Sequence, residues 1–453
     1  MATRTVSIAE VFDRRGVTSY QVWICFLCFC VTVLDGYDLM VIGVTMPRIA
    51  QFLKATPSAL GLAVGAGQIG PLVGALVLGT LADRLGRKRM LVISALVFGI
   101  FTVLTTQITS IQQLAICRFL AGVGLGGAIP NALAFGCEYA PSRLRASLTT
   151  TMYAGMAVGS TITGLLGASI LPTRGWQMMF LLGGIPPLVI ALLVGLFLPE
   201  SLAFLVKRGG RQERVRKILS HIDPETASDA NVEYVVPEKK LGGVPVKHLF
   251  TEGRAFTTIT LWVLFFLSFY LLWILAAWAP TLLRKSGATI QQSSNAFALI
   301  NIGSFIATIT IGRLMDRFDP FRTLKIAFVI AFFSVVVFGM SANSSFLVVA
   351  VLSVVMGFFV IGGNSGLMAL ATVSYPVDIR GSGVGWAYAI GKIGSMLAPV
   401  TGGMMLGWSW SVKEICSTNA IAALLVTAAV WILQSHLASV KKQQAEAAKA
   451  GAV

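Results

Sequence analysis

Charge is what this chain has least of. Asp, Glu, Lys and Arg make up 12% of its 453 residues, and there are only three histidines and six cysteines. About a quarter of an ordinary soluble domain is charged, so this composition excludes one. The histidines His221, His248 and His436 lie scattered, and no metal-ligand cluster, nucleotide-binding loop or nucleophile and base set appears. Enzyme chemistry, a metal site, a cofactor and ATP-driven pumping are therefore not expected. Cys25, Cys28, Cys30, Cys117 and Cys137 fall inside apolar runs, with Cys416 alone near an outer surface, which is no disulfide framework. A cleavable leader is not expected either. Residues 1–20 are polar and include Glu10, Asp13, Arg14 and Arg15, so the first apolar run should stay as a membrane helix.

Apolar length is what the chain has instead. Hydrophobic residues make up 56% of it, the mean hydropathy is +0.80, and runs of the ~20 residues that cross a bilayer recur throughout. They predict an all-α membrane protein with twelve transmembrane helices, at 21–46, 58–82, 90–109, 112–137, 146–170, 177–198, 256–283, 293–315, 323–341, 345–373, 382–406 and 415–437. The domains expected are a cytoplasmic segment 1–20, a six-helix bundle 21–198, a linker 199–254, a second bundle 255–437 and a tail 438–453. With the N-terminus inside, inner loops, tails and the inner ends of the spans hold 27 of the 35 Lys and Arg and outer loops hold six. That asymmetry orients a membrane protein, so the net charge of +16 reflects topology and not nucleic-acid binding. Ten inner basic residues belong to the linker, where Val215, Ile218, Leu219 and Ile222 predict an amphipathic helix on the inner membrane surface. The tail, rich in Ala, Lys and Gln, reads as disordered.

The two halves repeat. GTLADRLGRKR at 79–89 answers GRLMDRFDPFR at 312–322, matching Gly79 with Gly312, Asp83 with Asp316 and Arg84 with Arg317. A second match pairs Gly122 with Gly357, Arg145 with Arg380 and Tyr153 with Tyr388. Two parallel halves of this kind put a substrate path between them near the membrane midplane. Features shared by both halves read as architecture and conformational hardware, whereas ionisable residues in one half alone are candidates for chemistry. Four qualify: Asp35 and Asp38 in span one, Arg118 in span four and Lys392 in span eleven. Each costs about 2.5 to 3.5 kcal/mol on insertion scales and so needs a partner or a function. An anionic substrate needs a fixed cation in a low-dielectric cavity, and a guanidinium meets a carboxylate in two-point fashion. A coupling proton needs a carboxyl that burial moves toward neutrality, which suits Asp35 or Asp38. These residues predict an anion and proton symporter; the alternative is that they neutralise one another as structural ion pairs. Aromatic side chains that could pack a ring are Tyr37, Tyr153, Tyr270, Trp273, Trp386 and Tyr388, and Asn301 and Asn364 could bind a hydroxyl or another helix.

The loop LADRLGRKR between spans two and three, RFLAGVGLGGAIPNA in span four and PESLAFL after span six resemble the major facilitator superfamily across the whole chain. DGYD in span one and GWAYAIGKIGSMLAPVTGG in span eleven are similar to its aromatic acid:proton symporter branch. The resemblance implies the major facilitator fold, alternating access, and import of a benzoate-type or hydroxybenzoate-type acid by a monomer in the bacterial inner membrane, both termini cytoplasmic. It implies proton coupling at Asp35 and Asp38, and a substrate site drawn from Arg118, Lys392, Tyr388, Trp386, Tyr153 and Asn364. Conformational gating falls to Gly79, Asp83, Arg84, Gly86, Arg87, Glu138, Asp316, Arg317 and Arg380. Lys392 departs from the branch, where Arg is expected, and so loses the planar fork. A drug antiporter would need a proline that AGMAVGSTITGLLG lacks, and sugar carriers have no use for two central bases. A carrier of another organic anion and a non-transporting sensor of aromatic acids remain as alternatives.

Overall fold

The computed structural model describes residues 4–14, 17–141, 144–207, 212–223, 232–235, 246–251, 253–375 and 377–450; the side chains of Asp83, Tyr153, Asp316 and Arg380 lie outside what it describes. The described residues form β1 (Arg4–Ser7), α1 (Ile8–Arg14), α2 (Ser19–Leu53), α3 (Pro57–Leu85), α4 (Arg87–Leu104), α5 (Ile111–Tyr139), α6 (Arg145–Phe197), α7 (Leu202–Lys207), α8 (Gln212–Leu219) and β2 (Val232–Val235). They continue as α9 (Ala255–Lys285), α10 (Ile290–Arg317), α11 (Pro320–Met340), α12 (Phe346–Ser374), α13 (Val377–Gly407) and α14 (Val412–Ala450). Ten stretches of these helices are long and apolar enough to cross a membrane. At 53 residues α6 would span about 80 Å as one rod. It does not run straight: Gly175, at φ 79° and ψ 176°, breaks it into two lengths at the positions expected of spans five and six.

The chain divides into two compact units that do not follow its midpoint. The first holds Met1–Val41, Ala66–Thr163 and Arg174–Lys240; the second holds Ile42–Gly65, Gly164–Thr173 and Leu241–Val453. Short pieces of α2, α3 and α6 thus cluster with the second half, at the ends expected outside. Backbone approach explains it for α3. A Cβ on Gly61 would stand 2.5 Å from the Pro399 carbonyl oxygen of α13, and one on Gly403 would stand 2.5 Å from that of Pro57. Only glycine lets two helices meet this closely, and the Ser58 hydroxyl then donates to the Gly403 carbonyl at 3.3 Å.

Two expectations about the polar segments change. A short pair of strands joins the helices, β1 pairing in parallel with β2, Arg4 opposite Val232 through Ser7 opposite Val235. Val6, Ile8, Val11 and Phe12 are fully buried with Tyr139, Leu202, Val215, Leu219 and Tyr234, so residues 4–14 are built into the first unit. The predicted amphipathic helix is present as α8, but its apolar face, Val215 and Leu219, packs into that same protein cluster and not against lipid. Protein surface was available to bury the stripe, and periodicity alone does not say what covers it. The tail read as disordered continues α14 to Ala450. Ala, Lys and Gln are good helix formers, and extending an existing helix avoids the nucleation cost.

Candidate functional site

In the first unit Asp35 and Asp38 lie one turn apart on α2, 1% and 6% exposed. Gly36 between them lets α6 come close, since a Cβ there would overlap the Met156 carbonyl. Arg118 of α5, also 6% exposed, donates from Nη1 to Asp38 Oδ1 at 2.8 Å. Two threonines complete the arrangement. Thr102 donates to the same Asp38 oxygen at 3.3 Å and accepts from Arg118 Nη2 at 3.1 Å, and Thr105 accepts from Nη2 at 3.2 Å. The Phe180 ring lies 5.0 Å from the guanidinium carbon. Arg118 Nε is buried with no hydrogen-bond partner, so one donor of the fork is unspent. A charged pair can persist in an apolar setting because each charge cancels the other and threonines take the remaining bonds. The structure joins Asp38 with Arg118 as a buried ion pair. Thr102, Thr105 and Phe180 were not anticipated. Threonines usually bond their own helix backbone in membranes, so their spacing of three carried little information.

In the second unit Lys392 of α13 lies between two rings, its Nζ 5.7 Å from the Trp273 centroid and 5.4 Å from that of Tyr388. Tyr388 meets Phe269 edge to face at 5.3 Å. Asn364 of α12 donates to Ser268 of α9 at 3.0 Å. Trp386 stands apart from this group, 41% exposed and against Trp262 at 6.1 Å. Lys392 and Tyr388 are thus brought together with Trp273, one of the aromatic side chains that could pack a ring.

The loop hardware in the first unit is also bonded. Arg87 pairs with Glu138 at 3.0 Å, and Ser201 donates to the other Glu138 oxygen at 2.6 Å. Glu200 Oε1 accepts from the Lys88 and Ser201 backbone N–H groups, each at 3.0 Å, and so caps the start of α4 from a distant stretch of chain. Gly86 turns the chain there at φ 103°, and a Cβ on it would lie 2.6 Å from the Glu200 carboxylate. Glu200 escaped prediction because nothing local in PES announces a cap for a helix more than a hundred residues earlier. Arg84 is exposed, and in the second unit Arg317 lies 5.8 Å from the Phe318 ring centroid. The repeated glycines separate in role. Gly79 and Gly312 have open space where a Cβ would stand, whereas Gly122 and Gly357 are hemmed in by Pro71 and by the Ile300 backbone. Among the described residues no group of three or more His, Cys, Asp or Glu could hold a metal ion.

The family model described as the Major Facilitator Superfamily matches residues 28–342 and 261–453. The chain is 34% identical over 439 residues to the 4-hydroxybenzoate transporter PcaK of Pseudomonas putida, covering 96% of this chain and 97% of that one. It is 33% identical to a gallate transporter of Pseudomonas putida over 88% of this chain and 89% of the relative. With the benzoate transport protein of Acinetobacter baylyi it shares 30% identity, over 89% of this chain and 87% of the relative. The crystal structure of a D-xylose-proton symporter aligns at TM-score 0.72 and 19% identity, over 92% of this chain and 97% of that one. A bacterial homologue of the human lysosomal transporter Spinster, inward-facing and occupied, aligns at TM-score 0.71 and 16% identity, over 93% and 98%. At such identities the solved structures speak for the fold alone, and these three relatives by sequence, each named as a transporter, speak for the lineage. The chain belongs to the major facilitator superfamily and, within it, to the branch of these aromatic-acid transporters.

Proposed function

We propose that this chain is a secondary transporter that imports an aromatic carboxylate of the hydroxybenzoate or benzoate type together with protons. It works by alternating access as a monomer in the bacterial inner membrane, with both termini cytoplasmic and twelve spans in two six-helix bundles. The span count is supported by the break at Gly175 and by the 31 residues of α13, which add two lengths to the ten apolar stretches. The observation that carries the function is the buried Asp38–Arg118 pair with Asp35 one turn away, in a chain similar over nearly all its length to a 4-hydroxybenzoate transporter.

The chemistry follows from that pair. While Asp38 is charged, Arg118 is neutralised and holds little attraction for an anion. A proton taken up by the Asp35 and Asp38 group frees positive charge, and the guanidinium then has a carboxylate to bind. Its unspent Nε supports this role. Proton and anion are each favoured by the other's presence, which is the linkage a symporter requires. Asp35 is the first choice for the coupling site, with Asp38 as its partner. In the second unit Lys392 supplies a further cation, with Tyr388 beside it, and Asn364, Trp386 and Tyr153 complete the proposed substrate set. Asp83, Arg84, Arg87, Glu138, Asp316, Arg317 and Arg380 form the proposed gating set with the turn at Gly86. Gly79 belongs to the same proposed set.

Right-side-out membrane vesicles test the reading. They should accumulate radiolabelled 4-hydroxybenzoate above the outside concentration under an inward proton gradient, and a protonophore should abolish the accumulation. Accumulation that a protonophore leaves intact would refute proton coupling.

A further inference from the structure

Among the described residues the ion pair and the loop contacts leave several buried polar side chains unused, and Gln68 is one of them. Gln68 lies on α3, midway along the apolar stretch Pro57–Gly79. It is 8% exposed, and its Oε1 is buried with no hydrogen-bond partner. It belongs to the same unit as Asp38 and Arg118, and its neighbour Gly67 packs on Arg118, where a Cβ would stand 3.1 Å from Arg118 Cβ. The backbone there is unusual as well: Pro71 has no N–H to give the Gly67 carbonyl. A buried amide oxygen without a donor is costly, because buried polar groups in folded proteins are nearly always bonded. A leucine or methionine would fill the same volume with no polar atom to satisfy. A ligand that brings a donor resolves the cost. Among aromatic acids, those with a ring hydroxyl carry such a donor away from the carboxylate, and benzoate does not.

We propose that Gln68 is a substrate-binding residue that hydrogen-bonds the ring hydroxyl and so selects hydroxylated aromatic acids over benzoate. This rests on the proposed function and narrows its substrate class. A primary amide suits the task, since Oε1 accepts from a phenolic hydroxyl while the NH2 group can donate to one. A site built around such a bond discriminates against the analogue that lacks the hydroxyl, because its own polar group is then left unpaired.

The test uses the full chain, purified and reconstituted, with displacement of radiolabelled 4-hydroxybenzoate by unlabelled 4-hydroxybenzoate and by benzoate. In Gln68→Met and Gln68→Leu the preference for 4-hydroxybenzoate should shrink by about tenfold, with benzoate affinity held within about twofold. Both variants should unfold at or above the wild-type temperature, because they remove a buried polar group with no protein partner. An unchanged preference, a parallel loss for both acids, or a lowered unfolding temperature in both variants would overturn the proposal. A wild type that binds both acids without preference refutes the role of Gln68 alone. A wild type that binds neither refutes the substrate class and this inference with it.

Discussion

Arg118 and Asp38 are the residues on which the rest depends, and their pairing makes a stability prediction separate from any transport assay. Removing one partner leaves a buried charge uncompensated, so Arg118→Ala or Asp38→Leu should each cost about 3–5 kcal/mol, read as a lowered unfolding temperature in detergent. Replacing both with leucine should recover most of that loss while transport stays absent; if the double variant is no more stable than the singles, the pair is not what holds them. Asp35→Asn should behave differently, keeping exchange of substrate across the membrane and losing accumulation. At this scale the sequence was most informative where it was most expensive: carboxylates and bases inside apolar runs stand out because each needs a reason. The threonines that complete the site do not stand out, since Thr102 and Thr105 resemble any membrane threonine until Arg118 is seen between them. Gln68 was overlooked for a related reason, because an uncharged amide breaks an apolar run less visibly than a charge does.

Helices and their ends carry the next layer. Glu200→Gln should weaken the cap on α4 and lower stability by about 0.5–2 kcal/mol, measured by thermal unfolding, with Glu200→Ala at the upper end. The contact of α3 with α13 offers a sharper test. Gly61→Val should wedge the two helices apart, because even its Cβ would meet the Pro399 carbonyl at 2.5 Å. A cysteine introduced at Ser58 should then react faster with a membrane-impermeant maleimide while uptake falls; equal labelling rates with and without Gly61→Val would count against this packing. The ten apolar stretches were legible from apolar length, and the helical break near Gly175 falls where the sequence separates spans five and six. The amphipathic period of α8 was legible too. What covered it was not, because the partners Val6, Val11 and Phe12 come from a segment some two hundred residues earlier. Helical periodicity reports a buried face without naming its neighbour.

Over the whole molecule the internal repeat predicted two related halves, and the chain belongs to the major facilitator superfamily. The boundary between compact units was not legible, since the pieces Ile42–Gly65 and Gly164–Thr173 join the second unit through glycine contacts that no repeat marks. The orientation rule and the repeat act over hundreds of residues and survive without coordinates, whereas helix-to-helix contacts are set by a few small side chains. In the proposed function, substrate and proton enter together through the Asp35, Asp38 and Arg118 group. The most direct measurement is the internal pH of proteoliposomes containing a trapped pH dye, followed as 4-hydroxybenzoate is added outside and compared with protein-free liposomes. Substrate-dependent acidification of the lumen is expected with the wild-type chain, abolished by Asp35→Asn although labelled substrate still exchanges. Entry of labelled substrate through the wild-type protein with no acidification beyond the protein-free control would contradict it.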